Sequence, residues 1–172
     1  MIHQLIETIL EFLESILGTT YLGRSAVTFL VSMLPIIELR GAIPIGAAFG
    51  LPPLTNILVS IAGNMIPAPF IILFIRRIFT WMRKKSTFLG NLADRFEKKA
   101  KSKGSRLYRR ELIGLMLFVA VPLPGTGAWT GSLIAALLDI RLKAALPVIL
   151  AGVVIAGLIV TGITYGFISL IN

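Results

Sequence analysis

Cysteine is absent, and His3 is the only histidine. Those gaps exclude a disulfide framework, an iron–sulfur centre, a thiol nucleophile, a histidine-rich metal site and a histidine-based catalytic triad. No other nucleophile–base pair or metal constellation stands out, so neither an enzyme nor a cofactor is expected. Charge is scarce as well: 15% of the 172 residues are charged, against about 25% in an ordinary soluble domain. Acidic residues number 8 against 17 basic ones. The opening Met1-Ile2-His3-Gln4 has no basic stretch and no A-x-A-like site follows, so a cleaved signal peptide is not expected.

What is present is apolar. Hydrophobic residues make up 56% of the chain, and the mean hydropathy is +0.89. Leu54–Ile75 runs 22 residues without a charge, and Ala144–Leu170 runs 27. Each exceeds the roughly 20 residues needed to cross a bilayer core. The length suits one domain, and the composition makes it an all-α integral membrane domain.

The charge is concentrated. Residues 76–110 hold 13 of the 17 basic residues and only Asp94 and Glu97 against them, a net +11. A short basic loop beside a span stays in the cytoplasm, so this connector is assigned to the inner face of the cytoplasmic membrane. Phe88, Leu89, Leu92 and Phe96 recur at helical spacing within it, as on a helix lying on anionic lipid. Topology already accounts for the cluster, and nucleic-acid binding is not expected. Residues 1–18 form a second amphipathic segment of opposite sign, with Glu7, Glu11 and Glu14 on one stripe.

Two apolar stretches fail as ordinary spans. In residues 25–51 the break is Pro35 to Pro44, which includes Glu38, Arg40 and Gly41; in residues 111–138 it is Pro122-Leu123-Pro124-Gly125-Thr126-Gly127. Pro35 and Pro122 each remove a backbone donor and stop the incoming helix. Pro44 suits the start of the next helix, and Thr126 suits an N-cap for a helix from Gly127 onward. Each arm of 7–13 residues is too short for a core about 30 Å thick. Both regions therefore read as re-entrant hairpins, each followed by a span (54–75 and 144–170). The rival is a four-span bundle with kinks. Loop 139–143 carries Arg141 and Lys143, which favour the cytoplasm and hence a hairpin that returns. The halves then form an inverted repeat, and paired broken segments mark a transporter's midplane site.

Glu38 and Arg40 are the only charges within their stretch. A central charge costs roughly 2.5–3.5 kcal/mol, and such groups face a cavity or each other. One reading is an internal pair that merely fixes the hairpin. The other has Arg40 attracting an anion while Glu38 carries a proton, with the N-termini of the helices near Ile43 and Ala128 aimed at the same region. Trp129 could line a substrate path or simply pack. Asn64, Pro67 and Pro69 interrupt the first long span, Asn64 being a secondary site candidate. Small residues four apart in the last span, such as Gly152 and Ala156, favour close helix packing.

The segments Glu38-Leu39-Arg40-Gly41-Ala42-Ile43-Pro44 and Val121–Gly131 resemble the small multidrug export protein family, from Ser25 to about Tyr165. That family looks distantly related to the DedA (VTT, SNARE-associated Golgi) superfamily. The resemblance implies opposed re-entrant hairpins and transport or scrambling of lipids. In bacteria, DedA-like members are implicated in proton-coupled return of undecaprenyl phosphate. In one departure from DedA proteins, Leu115–Leu138 contains no arginine. The expected partners are membrane lipids and a small amphipathic or lipid-phosphate substrate. With only two full spans, a homodimer would thicken the wall against lipid. The alternatives are a proton-coupled drug exporter and a membrane scaffold or assembly protein.

Overall fold

The structure is a computed structural model describing residues 20–85, 105–123 and 125–171. The expected N-terminal amphipathic helix, most of the basic connector and Pro124 lie outside the described residues. Every regular element among those described is a helix: α1 Tyr21–Ser32, α2 Glu38–Ala48, α3 Pro53–Met65, α4 Pro67–Lys85, α5 Ser105–Ala120, α6 Ala128–Leu137 and α7 Leu142–Ile171. Two stretches, Pro53–Ile78 and Leu142–Leu170, are long and apolar enough to cross a membrane. The first is interrupted at Ile66, where α3 gives way to α4. Pro67 takes the opening position of α4, the one helical site where a missing N–H costs nothing.

The chain divides into two compact units. One comprises residues up to Asn64 together with Gly157 onward; the other comprises Met65–Ala156.

In the first unit, α1 ends ahead of Pro35. The amides of Met33 and Leu34 turn back to the carbonyls of Leu30 and Val31, the tighter pattern common in a last helical turn. After a turn of five residues α2 begins and packs against α1 around Val27, Val31 and Ala42. Arg24, at the start of α1, donates to the Phe49 carbonyl just past α2, at 2.8 Å. The helices therefore run antiparallel, with their outer ends side by side. Helix α3 packs on α2 through a glycine: a Cβ on Gly46 would collide with the Asn56 amide. That approach lets Asn56 donate to the Ile43 carbonyl (2.7 Å) and to the Tyr165 hydroxyl (2.9 Å), which itself donates to the Leu51 carbonyl (2.5 Å). One correction follows. Pro44 does not open a helix; it sits inside α2, which begins six residues earlier at Glu38.

In the second unit, α6 packs against both α4 and α5. Its sequence explains this, because Ala128, Gly131, Ser132, Ala135 and Ala136 form a buried small-residue stripe that admits neighbouring backbones closely. Gly131 meets Val119 of α5. Each lies about a turn from the break between these helices, so α5 and α6 are also antiparallel. The turn after α6 places Asp139 at φ +54°. Arg76 of α4 holds this turn, forming an ion pair with Asp139 (3.4 Å) and donating to the Ile140 carbonyl.

In lipid, helix association rests on packing and polar contacts rather than on water exclusion. Asn56→Ala is expected to cost about 1–2 kcal/mol, with Tyr165→Phe costing less. Thermal unfolding in detergent measures both. Unchanged midpoints would show that these contacts do not hold the unit.

Candidate functional site

The sequence candidates fall into two groups, each inside one unit. Glu38, Arg40, Gly41, Pro44 and Asn64 belong to the first; Pro122, Gly125, Thr126, Gly127 and Trp129 belong to the second.

Glu38 is the first residue of α2. Its amide donates to the Leu34 carbonyl at 2.9 Å, and its backbone adopts φ +49°. A non-glycine residue in that region costs on the order of 1–3 kcal/mol, and such strain clusters at functional positions. The carboxylate is buried, with 4% side-chain exposure, and lies 3.7 Å from the Arg40 guanidinium, which is 18% exposed. That spacing is an ion pair rather than a tight hydrogen bond. An acid at a helix N-terminus also gains from the helix dipole. Gly41 follows because a Cβ there would strike the Ile37 side chain. Chemically, the group can accept or release a proton at Glu38 beside a fixed positive charge.

Asn64, in the last turn of α3, is fully buried. Neither its amide nitrogen nor its oxygen has a hydrogen-bond partner among the described residues. Gly63 beside it packs against Ser32 and the Phe29 carbonyl of α1, so Asn64 sits at the end of the unit where α1 turns into α2 and Glu38 begins.

In the second unit, α5 stops at Ala120 and the chain turns through Pro122 to Gly127. Thr126 is not the helix cap expected from its position. The residue before α6 is Gly127, with no side-chain cap. The Thr126 hydroxyl, with one proton to give, instead reaches back to the carbonyl of Val121 (2.6 Å) or of Leu123 (2.8 Å), each of which also accepts a backbone amide, from Leu123 and Thr126 respectively. Gly125 at φ +85° and Gly127 at φ +123° supply conformations that a side chain would strain. Trp129, half-buried in the first turn of α6, lines a cavity of about 670 Å³ with Phe70, Ile71, Leu73, Phe74 and Arg77 of α4.

Sequence reasoning missed several contacts. The Asn56–Tyr165 clasp was signalled only by two polar residues in charge-free stretches. The Arg76 contacts were signalled by a lone acid after α6. The cavity gave no signal beyond the aromatic residues of α4.

Helices of this kind, two of them able to span a bilayer, define a polytopic α-helical membrane protein. The family model described as "Putative small multi-drug export protein" matches residues 38–159. The chain belongs to that family, a class of transporters. The match begins at Glu38, inside the first break, and takes in the whole of the second. No curated protein and no solved structure matches the chain.

Replacing Asn64 by leucine is expected to raise the unfolding midpoint, because an unmet buried amide costs about 1–3 kcal/mol. A lowered midpoint would show that the amide is satisfied in the folded protein.

Proposed function

We propose that the chain moves an amphipathic, anionic substrate across the cytoplasmic membrane, with a lipid phosphate of the polyprenyl-phosphate type as the lead candidate. The buried Glu38–Arg40 pair on strained backbone carries this reading. A pair that only stabilised the turn would gain little, since sheltering two charges costs about as much as their attraction returns. Arg40 is the anchor for an anionic head, and the Glu38 proton is the coupling element. When an anion arrives, it competes with the Glu38 carboxylate for the guanidinium. Protonation of Glu38 then removes the competing charge, linking substrate binding to proton uptake.

Transport in this reading runs through two re-entrant hairpins of inverted topology, α1–α2 and α5–α6. Three of the four lengths support it: α1, α2 and α6 have 12, 11 and 10 residues, or about 15–18 Å each, half of a bilayer core, while α5 is longer at 16 residues. So does the contact between Arg76 and Asp139. If α5 and α6 together crossed the membrane, Asp139 would emerge on the face opposite the basic connector, yet it touches the residue where that connector begins. The connector and loop 139–143 are then cytoplasmic. The DedA resemblance supports a lipid substrate. A proton-coupled exporter of small hydrophobic compounds is the second reading, favoured by the family's description.

The test is reconstitution into liposomes, with lipid-phosphate flipping and drug efflux assayed under two pH gradients. Flipping is expected, and Glu38→Gln and Arg40→Ala are each expected to abolish it while the protein stays folded. Drug efflux without flipping would favour the second reading; no flux, with stoichiometric partners on purification, would favour a scaffold. Because the chain has no cysteine, Arg141→Cys gives a single label site. Labelling from the cytoplasmic side alone is expected, and labelling from outside would overturn the hairpin topology.

A further inference from the structure

The cavity beside Trp129 lies in the second unit, away from Glu38 and Arg40 in sequence and in unit, and the proposed transport step does not use it. Its wall has a direction. Phe70, Leu73, Phe74 and Arg77 are spaced three or four apart on α4, so they share one face of the helix. Along that face three apolar side chains lead to one cation. The run from Phe70 to Arg77 covers about 10 Å. Trp129 of α6 faces this row from the other side.

The apolar part is open. Phe70, Leu73 and Phe74 are all more than half exposed, an arrangement suited to hydrocarbon. Arg76, the neighbouring cation, is occupied by Asp139 and the Ile140 carbonyl, whereas Arg77 turns to the cavity. Arg77 also stands where α4 changes from the apolar Phe70–Ile75 to a segment of net +11. In a membrane helix that transition marks the depth of the lipid headgroups, where basic residues attract anionic lipid.

We infer that this groove is a binding site for an anionic phospholipid of the surrounding bilayer. An acyl chain lies along Phe70, Leu73 and Phe74 against Trp129, and the phosphate is held by the Arg77 guanidinium. An anionic head is preferred because Arg77 contributes a full positive charge, and a zwitterionic head brings its own cation to the same place. Arginine offers a planar fork of donors to phosphate oxygens, which fixes the head while the chain stays loosely packed. The bound lipid fills a cavity whose volume falls within the range of ordinary ligand pockets. This site is a resident lipid position and is independent of which substrate is transported.

Tryptophan supplies the probe. The chain has two tryptophans, so Trp81→Phe leaves Trp129 as the sole indole. The full-length variant is placed in vesicles of phosphatidylcholine and phosphatidylglycerol, with one or the other carrying brominated acyl chains at equal mole fraction. Bromine quenches indole fluorescence on contact. Brominated phosphatidylglycerol is expected to quench Trp129 with about five-fold higher apparent affinity than brominated phosphatidylcholine, the preference one basic residue at the headgroup depth confers. Arg77→Gln is expected to remove that preference and Arg77→Lys to keep most of it, with emission in unbrominated vesicles reporting that each variant is folded. Equal quenching by both lipids would reduce the groove to ordinary lipid contact and overturn the proposal. A preference that survives Arg77→Gln would also overturn it, as would no quenching by either lipid, the result expected if a second copy of the chain covered this face.

Discussion

A helix broken inside an apolar medium leaves carbonyl groups with no donor, and each costs several kcal/mol if nothing replaces the lost partner. In this chain polar side chains reach carbonyl groups at or near several of these interruptions. Arg24 reaches the Phe49 carbonyl, Asn56 reaches Ile43 and Tyr165 reaches Leu51. In the other unit Arg76 serves the Ile140 carbonyl, and the Thr126 hydroxyl adds to the backbone amides already on the carbonyls of Val121 and Leu123, one at a time. Without these clasps the breaks would be liabilities. With them, short helices can stop and turn where an unbroken helix would run on.

The same constraint explains where chemistry can be housed. The first break holds Glu38 at positive φ, in a turn closed by backbone hydrogen bonds. The carboxylate is thereby kept beside Arg40 at a distance that attracts without locking. The second break carries no comparable charge. Its contribution is shape: two glycines and a threonine staple deliver Trp129 to the wall of an apolar cavity. The two breaks look alike in composition and differ in chemistry.

Much of this was legible in the residues. Proline after an apolar run marked both interruptions, and both helices do end ahead of Pro35 and Pro122. The start of α6 at Ala128 follows from the flanking glycines. Family membership was legible in the two break motifs. Two local roles were misread, for physical reasons. Pro44 suited a helix start, but the helix already begins at Glu38 and absorbs the proline. Thr126 suited a cap, but the residue before α6 is Gly127, and the threonine hydroxyl turns back to a carbonyl at the end of α5 instead. Nothing local could reveal the pairing of Arg76 with a turn 64 residues away, because long-range partners are set by packing.

That long-range pairing has a consequence for how the polypeptide can be divided. The second unit takes α4, which runs into the basic connector, and α5, which begins within it, together with α6 and the first half of α7. It is held across that gap by the packing of α4 on α6 and by the Arg76 clasp. These contacts join the pieces in addition to the covalent chain. A chain severed there by a protease, or produced as two fragments from separate messages, should reassemble by complementation.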